Sequence, residues 1–443
     1  MSQDPIPKIV RDVIYAEDHR LLDDLVGREV IRNIRYGVAD SFIRGILEER
    51  VRKDMIAQAY AGAFRLPRLH HGDYTPGIDM AGHRILFPLN FLNEPSITTG
   101  STGCGKTTRN RFAILQIAPR VHGLWTYDFR KAEYSILKPY LARLGVELIV
   151  LPARSLRLNP LQVPEYVDPR DYAPNISEAL VRILKLPPRA EKLLHAAILQ
   201  LYAQFGVLEG ARLYPTLFDL REIIVGNPNA NPQAREALLD SLDPVLLSLH
   251  DVLCYRVGWT TNALSSMHLA FELGGVSETD KNLILNTLIV GEFLSRIARG
   301  ISNPRMDLYI VCDEAARLVG DEEGSIADMI GLIRGTGIGL DLSIQSAQAA
   351  RRIWSNVPNR WIGRCSSAMD YDAAGATCGL TEEQRRWLAT HLVPGLFLGQ
   401  LGQGEWRYPF LFRVPPMHFG DRNDEPRNYD DSERMKSLPV VPA

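Results

Sequence analysis

GSTGCGKTT, residues 100–108, stands between a short β-prone run, SITT (96–99), and a helix-like run, KTTRNRFAILQIA (106–118). Gly100, Gly105, Lys106 and Thr107 satisfy G-x-x-x-x-G-K-[ST], a loop whose backbone N–H groups wrap a polyphosphate. A chance match in a chain of this length has odds of about one or two in a hundred. The strand, loop, helix order around it is the one such a loop needs. Gly100, Gly103 and Gly105 permit torsions and a close approach that a Cβ obstructs. Ser101, Thr102, Cys104 and Thr108 complete the loop. The Lys106 ammonium is assigned to the β- and γ-phosphates and the Thr107 hydroxyl to Mg²⁺, at the positive end of the following helix.

Working outward, β-prone runs alternate with helical ones from about residue 84, which predicts an α/β fold with a mainly parallel sheet. The expected strands are SITT (96–99), LWTYD (124–128), ELIVL (147–151), MHLAFEL (267–273), LYIVCD (308–313) and LDLSIQ (340–345). The polarity of SITT points to an open position in that sheet. Residues 172–262 are mainly helical and too long for a simple crossover, so they read as an inserted helical subdomain. That division leaves 84–171 and 263–419 as the nucleotide-binding core. Residues 1–75 form an N-terminal helical accessory segment, with apolar residues every three or four positions up to about residue 70. The polar stretch 420–443 has little to bury and is expected to be a mobile tail. His70 and His71 lack a Cys/His partner at metal-ligand spacing and read as a solvated loop pair.

Bulk properties narrow the class. The 443 residues are 46% hydrophobic and 23% charged, with a formal net charge of −2, the profile of an ordinary globular chain without a basic tract for nucleic acid. No run reaches the length of a membrane span and the N-terminus lacks signal-peptide character, so a cytoplasmic location is expected. Five cysteines without close spacing suggest reduced, mostly buried thiols.

A phosphate loop needs carboxylates across the sheet. LYIVCDEA (308–315) supplies two, because Asp313 and Glu314 follow a buried strand at its carboxyl end, where parallel α/β sheets bind ligands. Asp313 is assigned to the magnesium shell and Glu314 to activation of the attacking water.

GSTGCGKTT, WTYDFRKAEY (125–134), LNPL (158–161), YIVCDEA (309–315) and RGTGIGLDLSIQSAQ (334–348), in that order, resemble the HerA/FtsK superfamily of ring ATPases. This superfamily includes type IV secretion coupling proteins and secretion ATPases. The resemblance covers roughly residues 84–415 and implies a RecA-like P-loop NTPase core, ATP with Mg²⁺ as ligands, and a homo-hexameric ring. It also implies that Arg334 matches the finger arginine in the helix after the Walker B strand, acting on the neighbouring subunit's nucleotide, and that Gln345 matches the glutamine at the end of the next strand that senses the γ-phosphate. A planar donor fork suits the first role; Arg351 and Arg352 are rival fingers. Asp128 and Glu133 match acidic positions after the second strand. The intervening FRKA departs from the tighter Asp-x-Lys-Gly-Glu of coupling proteins, and leaves Glu133 without an assigned role.

The leading expectation is an ATP-driven DNA translocase. The alternatives are an ATPase of a conjugation or type IV secretion apparatus moving protein or protein–DNA, and a nucleotide-dependent regulatory subunit of a multi-protein complex such as an antiviral one. The N-terminal helical segment is the candidate docking surface for a protein partner. Full coupling proteins usually carry N-terminal membrane helices, and none is legible here.

Overall fold

Side chains alternate faces along a strand, and that alternation assigns the two layers around the sheet. In LYIVC, Leu308, Ile310 and Cys312 enter one buried cluster, while Tyr309 and Val311 enter another on the opposite face. The computed structural model describes residues 7–18, 21–61, 64, 66–67, 70–129, 132–315, 325–348, 353–417, 419 and 429–443.

In chain order the strands are β1 (Ser96–Thr99), β2 (Gly123–Asp128), β3 (Leu148–Pro152), β4 (Tyr255–Val257), β5 (His268–Glu272), β6 (Asn303–Cys312), β7 (Thr336–Ile344), β8 (Asn359–Ile362), β9 (Leu396–Gln400), β10 (Phe410–Arg413) and β11 (Val441–Pro442). Nine of them form one sheet in the order β10-β9-β8-β1-β7-β6-β2-β5-β3. All neighbours from β8 to β3 are parallel, and β9 and β10 extend the sheet antiparallel to their neighbours. Parallel strands require crossovers that cover both faces, and both faces are covered. The helix Lys106–Ile117 packs Ala113, Ile114 and Ile117 on one side. The helices Pro169–Ile183, Pro188–Gln204, Leu217–Val225 and Pro232–Ser248 join the cluster on the other. The helices Lys8–Asp18, Leu25–Arg35 and Ser41–Ala61 share a small separate core of Ala16, Leu22, Val30, Leu47 and Val51.

Two expectations are corrected. The strand SITT is not at an open position: β1 pairs with both β7 and β8 and all four of its residues are buried. Its polarity has another cause. The Thr98 hydroxyl donates to Asp341 Oδ1 at 3.2 Å, joining a buried polar network beneath the helix Lys106–Ile117. The closing residues are not a free tail either. Asp431 Oδ2 accepts from Val150 N–H at 2.8 Å and pairs with Lys138, Met435 is buried, and β11 pairs antiparallel with β4. Residues 420–428 of that stretch lie outside the described residues, as do Arg351 and Arg352.

His71 is exposed. His70 is half-buried, with its ring against Trp406 and its Nδ1 3.4 Å from Leu86 N–H. The five cysteines are unpaired and all but Cys254 are buried. Among the described residues, no helix is long and apolar enough to cross a membrane.

Candidate functional site

The loop from Gly100 to Gly105 leaves the carboxyl end of β1 and turns into a helix whose first residue is Lys106. Gly100, Gly103 and Gly105 have φ of +152°, +78° and +106°, conformations that L side chains rarely adopt. A Cβ on Gly100 would stand 2.6 Å from Cys104 Sγ. Gly105 caps the helix without any side-chain acceptor, so the first-turn N–H groups have no side-chain cap competing for them.

Two distant segments brace the loop from behind. The carbonyl of Arg364, just past β8, accepts from Ser101 N–H at 2.7 Å and from Ser101 Oγ at 2.9 Å. Gly395 N–H donates to the Cys104 carbonyl at 2.9 Å. Burial raises the Cys104 thiol above its ordinary pKa. Ser101 and Cys104 therefore face the protein. Thr102, Gly103, Gly105, Lys106, Thr107 and Thr108 line a cleft of about 430 Å³.

Asp313, Glu314 and Gln345 line the same cleft, together with Asp128, Phe129 and Glu133. Thr107 Oγ1 donates to Asp313 Oδ2 at 3.2 Å, so the two groups assigned to Mg²⁺ meet across the gap between helix and strand. Gln345, immediately after β7, directs Nε2 at Glu314 Oε1 at 3.4 Å. Lys106 Nζ lies on the carbonyls of Gly100 and Ser101, at 2.6 and 3.1 Å, curled over the loop it serves.

Burial is the main cause raising the Asp313 carboxyl above its usual range. Glu133 adds to it, while Glu314 N–H, Lys106 and Thr107 oppose it. Asp128 is pushed well above the usual range, again mainly by burial. Its Oδ2 accepts from Tyr134 N–H at 3.0 Å, which fixes the turn carrying Glu133.

Arg334 is not brought to this cleft. It lies two residues beyond the helix Ser325–Leu332, in the turn that starts β7, whereas Gln345 follows the other end of that strand. Nine residues at ~3.3 Å rise separate the two ends by about 30 Å. Asn159 of LNPL is also remote in role. It ties the loop before the helical insertion to segments further along the chain, donating to the carbonyls of Pro215 and Arg256 at 3.0 and 3.3 Å.

Beneath the loop, Arg109 and Asp341 form an ion pair that is 1% and 0% exposed. Tyr309 Oη donates to Asp341 Oδ2 at 2.8 Å, and the Arg109 guanidinium lies 4.8 Å from the Trp361 ring centre. Burial works against the Arg109 charge, but Asp341 and the buried tyrosines 74 and 309 more than offset it, and its pKa stays above the ordinary value. Asn110 Nδ2 bridges Tyr134 Oη and Ser343 Oγ, each at 2.9 Å. Bonded neighbours here are up to 243 residues apart in sequence, which hides the network from any local pattern.

No family model and no curated protein matches the sequence. Solved structures do match. VirB4 of Thermoanaerobacter pseudethanolicus superposes with a TM-score of 0.62 at 16% identity, over 78% of this chain and 97% of that one. The plasmid coupling protein TrwB in complex with ADP and Mg²⁺ gives 0.53 at 14%, over 86% and 94%. Its unbound form, a bacterial conjugative coupling protein, gives 0.53 at 15%, over 79% and 91%. The chain thus shares the mainly parallel α/β, RecA-like fold of these neighbours.

Proposed function

We propose that the chain is the ATP-hydrolysing subunit of a ring motor that moves DNA. The observation that carries the proposal is the convergence, in one cleft, of the glycine-braced loop, the Thr107–Asp313 pair and Glu314. These residues fit a nucleoside triphosphate with Mg²⁺: positive-φ glycines expose backbone donors, Lys106 supplies the mobile cation, and a hydroxyl with a carboxylate supplies hard oxygen ligands. Thr107 and Asp313 would hold Mg²⁺, which would supply charge neutralisation at the phosphates.

The chain's own groups do the rest. Loop N–H groups and Lys106 hold the phosphates in place. Glu314 orients a water and takes its proton on the carboxylate, and Gln345, already in reach of Glu314, positions that carboxylate against the terminal phosphate. Arg334, at the far end of β7 from its own cleft, has a phosphate to reach only across a subunit boundary, which supports a ring in which each nucleotide is completed by a neighbour.

A second proposal, an ATPase of a conjugation or type IV secretion apparatus moving protein or protein–DNA, is favoured by the superposition on VirB4 and TrwB. ATPase rates with double-stranded, single-stranded and no DNA, run with a mass measurement in nucleotide, separate the two. DNA-stimulated turnover by a multimer supports the first. Turnover indifferent to DNA removes it in favour of the second, and a folded protein without any ATPase activity removes both.

A further inference from the structure

Glu94, two residues before β1, is 3% exposed. Its Oε1 stands 2.7 Å from Arg334 Nη2, whereas the Arg334 side chain is 71% exposed. The other carboxylate oxygen, Oε2, has no hydrogen-bond partner among the described residues. Gly402 closes over it so tightly that a Cβ there would fall 2.5 Å from Oε2. The backbone around Glu94 is fixed as well. Asn359 at the start of β8 donates from Nδ2 to the carbonyls of Phe91 and Glu94, at 2.8 and 3.0 Å, while its Oδ1 accepts from Gly402 N–H at 3.2 Å.

A buried carboxylate with one oxygen unsatisfied is costly to keep. Surface arginines, by contrast, gain little from being held. The asymmetry therefore makes sense as a service to the arginine. Glu94 is the fixed half of the pair, and it engages one end of a guanidinium that has five donors. The remaining donors are left at the surface on a side chain whose rotamer is already chosen.

Resting on the proposal that Arg334 completes a neighbour's nucleotide site, we infer that Glu94 is the positioning residue of that arginine. It anchors Arg334 at the amino ends of β1 and β7, so that a fork of N–H donors meets the neighbouring subunit's phosphate without further ordering. Preorganised donors of this kind matter in the transition state, and misplacing them by about 1 Å costs about a hundredfold in rate.

The test is a double-mutant cycle on the full chain, read as steady-state ATPase kcat and KM alongside thermal melts. Glu94→Gln keeps the side-chain shape and loses the charge. It is expected to melt like wild type, keep KM, and lower kcat by about tenfold or more. In an Arg334→Ala background the same change should lower kcat no further. Glu94→Asp, which keeps the charge but retracts it by one methylene, should also lower kcat at constant KM, and serves if the glutamine variant folds poorly. Wild-type turnover in Glu94→Gln overturns the inference, as does an equal loss with and without Arg334, which would mark Glu94 as a purely structural residue. Wild-type turnover in Arg334→Ala is a different failure, because it removes the trans role of Arg334 itself.

Discussion

Replacing Arg109 by Met tests whether the buried network beneath the loop holds the helix Lys106–Ile117 onto the sheet. The substitution keeps much of the side-chain length and removes the guanidinium. Asp341, fully buried, is left with two hydroxyl donors, Thr98 at 3.2 Å and Tyr309 at 2.8 Å. Breaking a buried pair from one side costs about 3–5 kcal/mol, and loss of the contact with Trp361 adds about 1 kcal/mol. The surviving hydroxyl donors offset part of this, so the expected loss is about 4 kcal/mol, a large share of the 5–15 kcal/mol typical of a folded domain. Urea unfolding followed by tryptophan fluorescence reads it as a lower midpoint at unchanged slope. Arg109→Met with Asp341→Asn should recover more than half, because the amide oxygen still accepts from one of the two hydroxyls, the amide NH₂ donates to the other hydroxyl's oxygen, and no charge stays buried. A single mutant within about 1 kcal/mol of wild type would refute the reasoning. So would a double mutant as unstable as the sum of the two singles, since that additivity denies any coupling between the groups.

Lys106→Ala should lower ATP turnover by about 10²-fold or more while the fold melts normally; full activity in the folded variant would remove the phosphate-loop assignment. Glu314→Gln should bind ATP and hydrolyse it about 10²- to 10⁴-fold more slowly, checked by nucleotide binding beside single-turnover rates. Mixed with Lys106→Ala, Arg334→Ala should recover hydrolysis that neither variant shows alone, because some interfaces then pair an intact loop with an intact finger; an Arg334→Ala protein that assembles and turns over at the wild-type rate would deny the trans role. Asp128→Asn should gain in melting temperature over wild type as pH rises. The native carboxyl titrates well above the ordinary 3.8, so the folded state holds a proton that the unfolded state has released, and wild-type stability falls as pH climbs from 3.8 through the folded pKa. A constant difference across pH 4 to 8 would show that burial does not control that group.

How much of the fold is legible in the sequence depends on whether the signal is local. The six expected strands are all present: five are short apolar runs between turn signals, as buried parallel strands are, and SITT keeps its expected bounds through its β propensity. NRWI (β8) opens with Asn and Arg and carries no such signal, whereas LFLGQ and FLFR (β9 and β10) are apolar runs bounded by Pro and Gly that do carry it but lie outside the βα rhythm. The loop and the Asp313–Glu314 pair are legible as residue types at strand ends. The braces from Arg364 and Gly395, and the pairs Arg109–Asp341 and Glu94–Arg334, join residues far apart in sequence, where no spacing rule applies. SITT shows the same limit. Its polar residues read as exposure, yet Thr98 joins a buried network whose other members come from β6, β7, β8 and the loop helix.

Glu314 carries a last constraint that ties backbone to chemistry. Its φ is +54°, a conformation uncommon outside glycine. The chain has no freedom to relax it. Glu314 N–H donates to Asp313 Oδ1 at 3.0 Å, and Ala315 N–H is held by the Ser343 carbonyl of β7 at 2.7 Å. Cys312 pairs with Leu342 and Ala315 is anchored on the next residue of β7, so the two residues between them must be taken up in a turn. The left-handed turn at Glu314 allows Asp313 to face Thr107 while Glu314 faces Gln345. Glycine would adopt the turn at no steric cost, but it would leave the cleft without the carboxylate. Strain of about 1–3 kcal/mol at such a residue persists only where its surroundings over-determine it. Here they do so from both sides, with Asp313 on one and β7 on the other. The strained turn thus sets the two carboxylates on different partners, Asp313 on Thr107 and Glu314 on Gln345, a separation that the proposed roles of metal ligand and water activator would use.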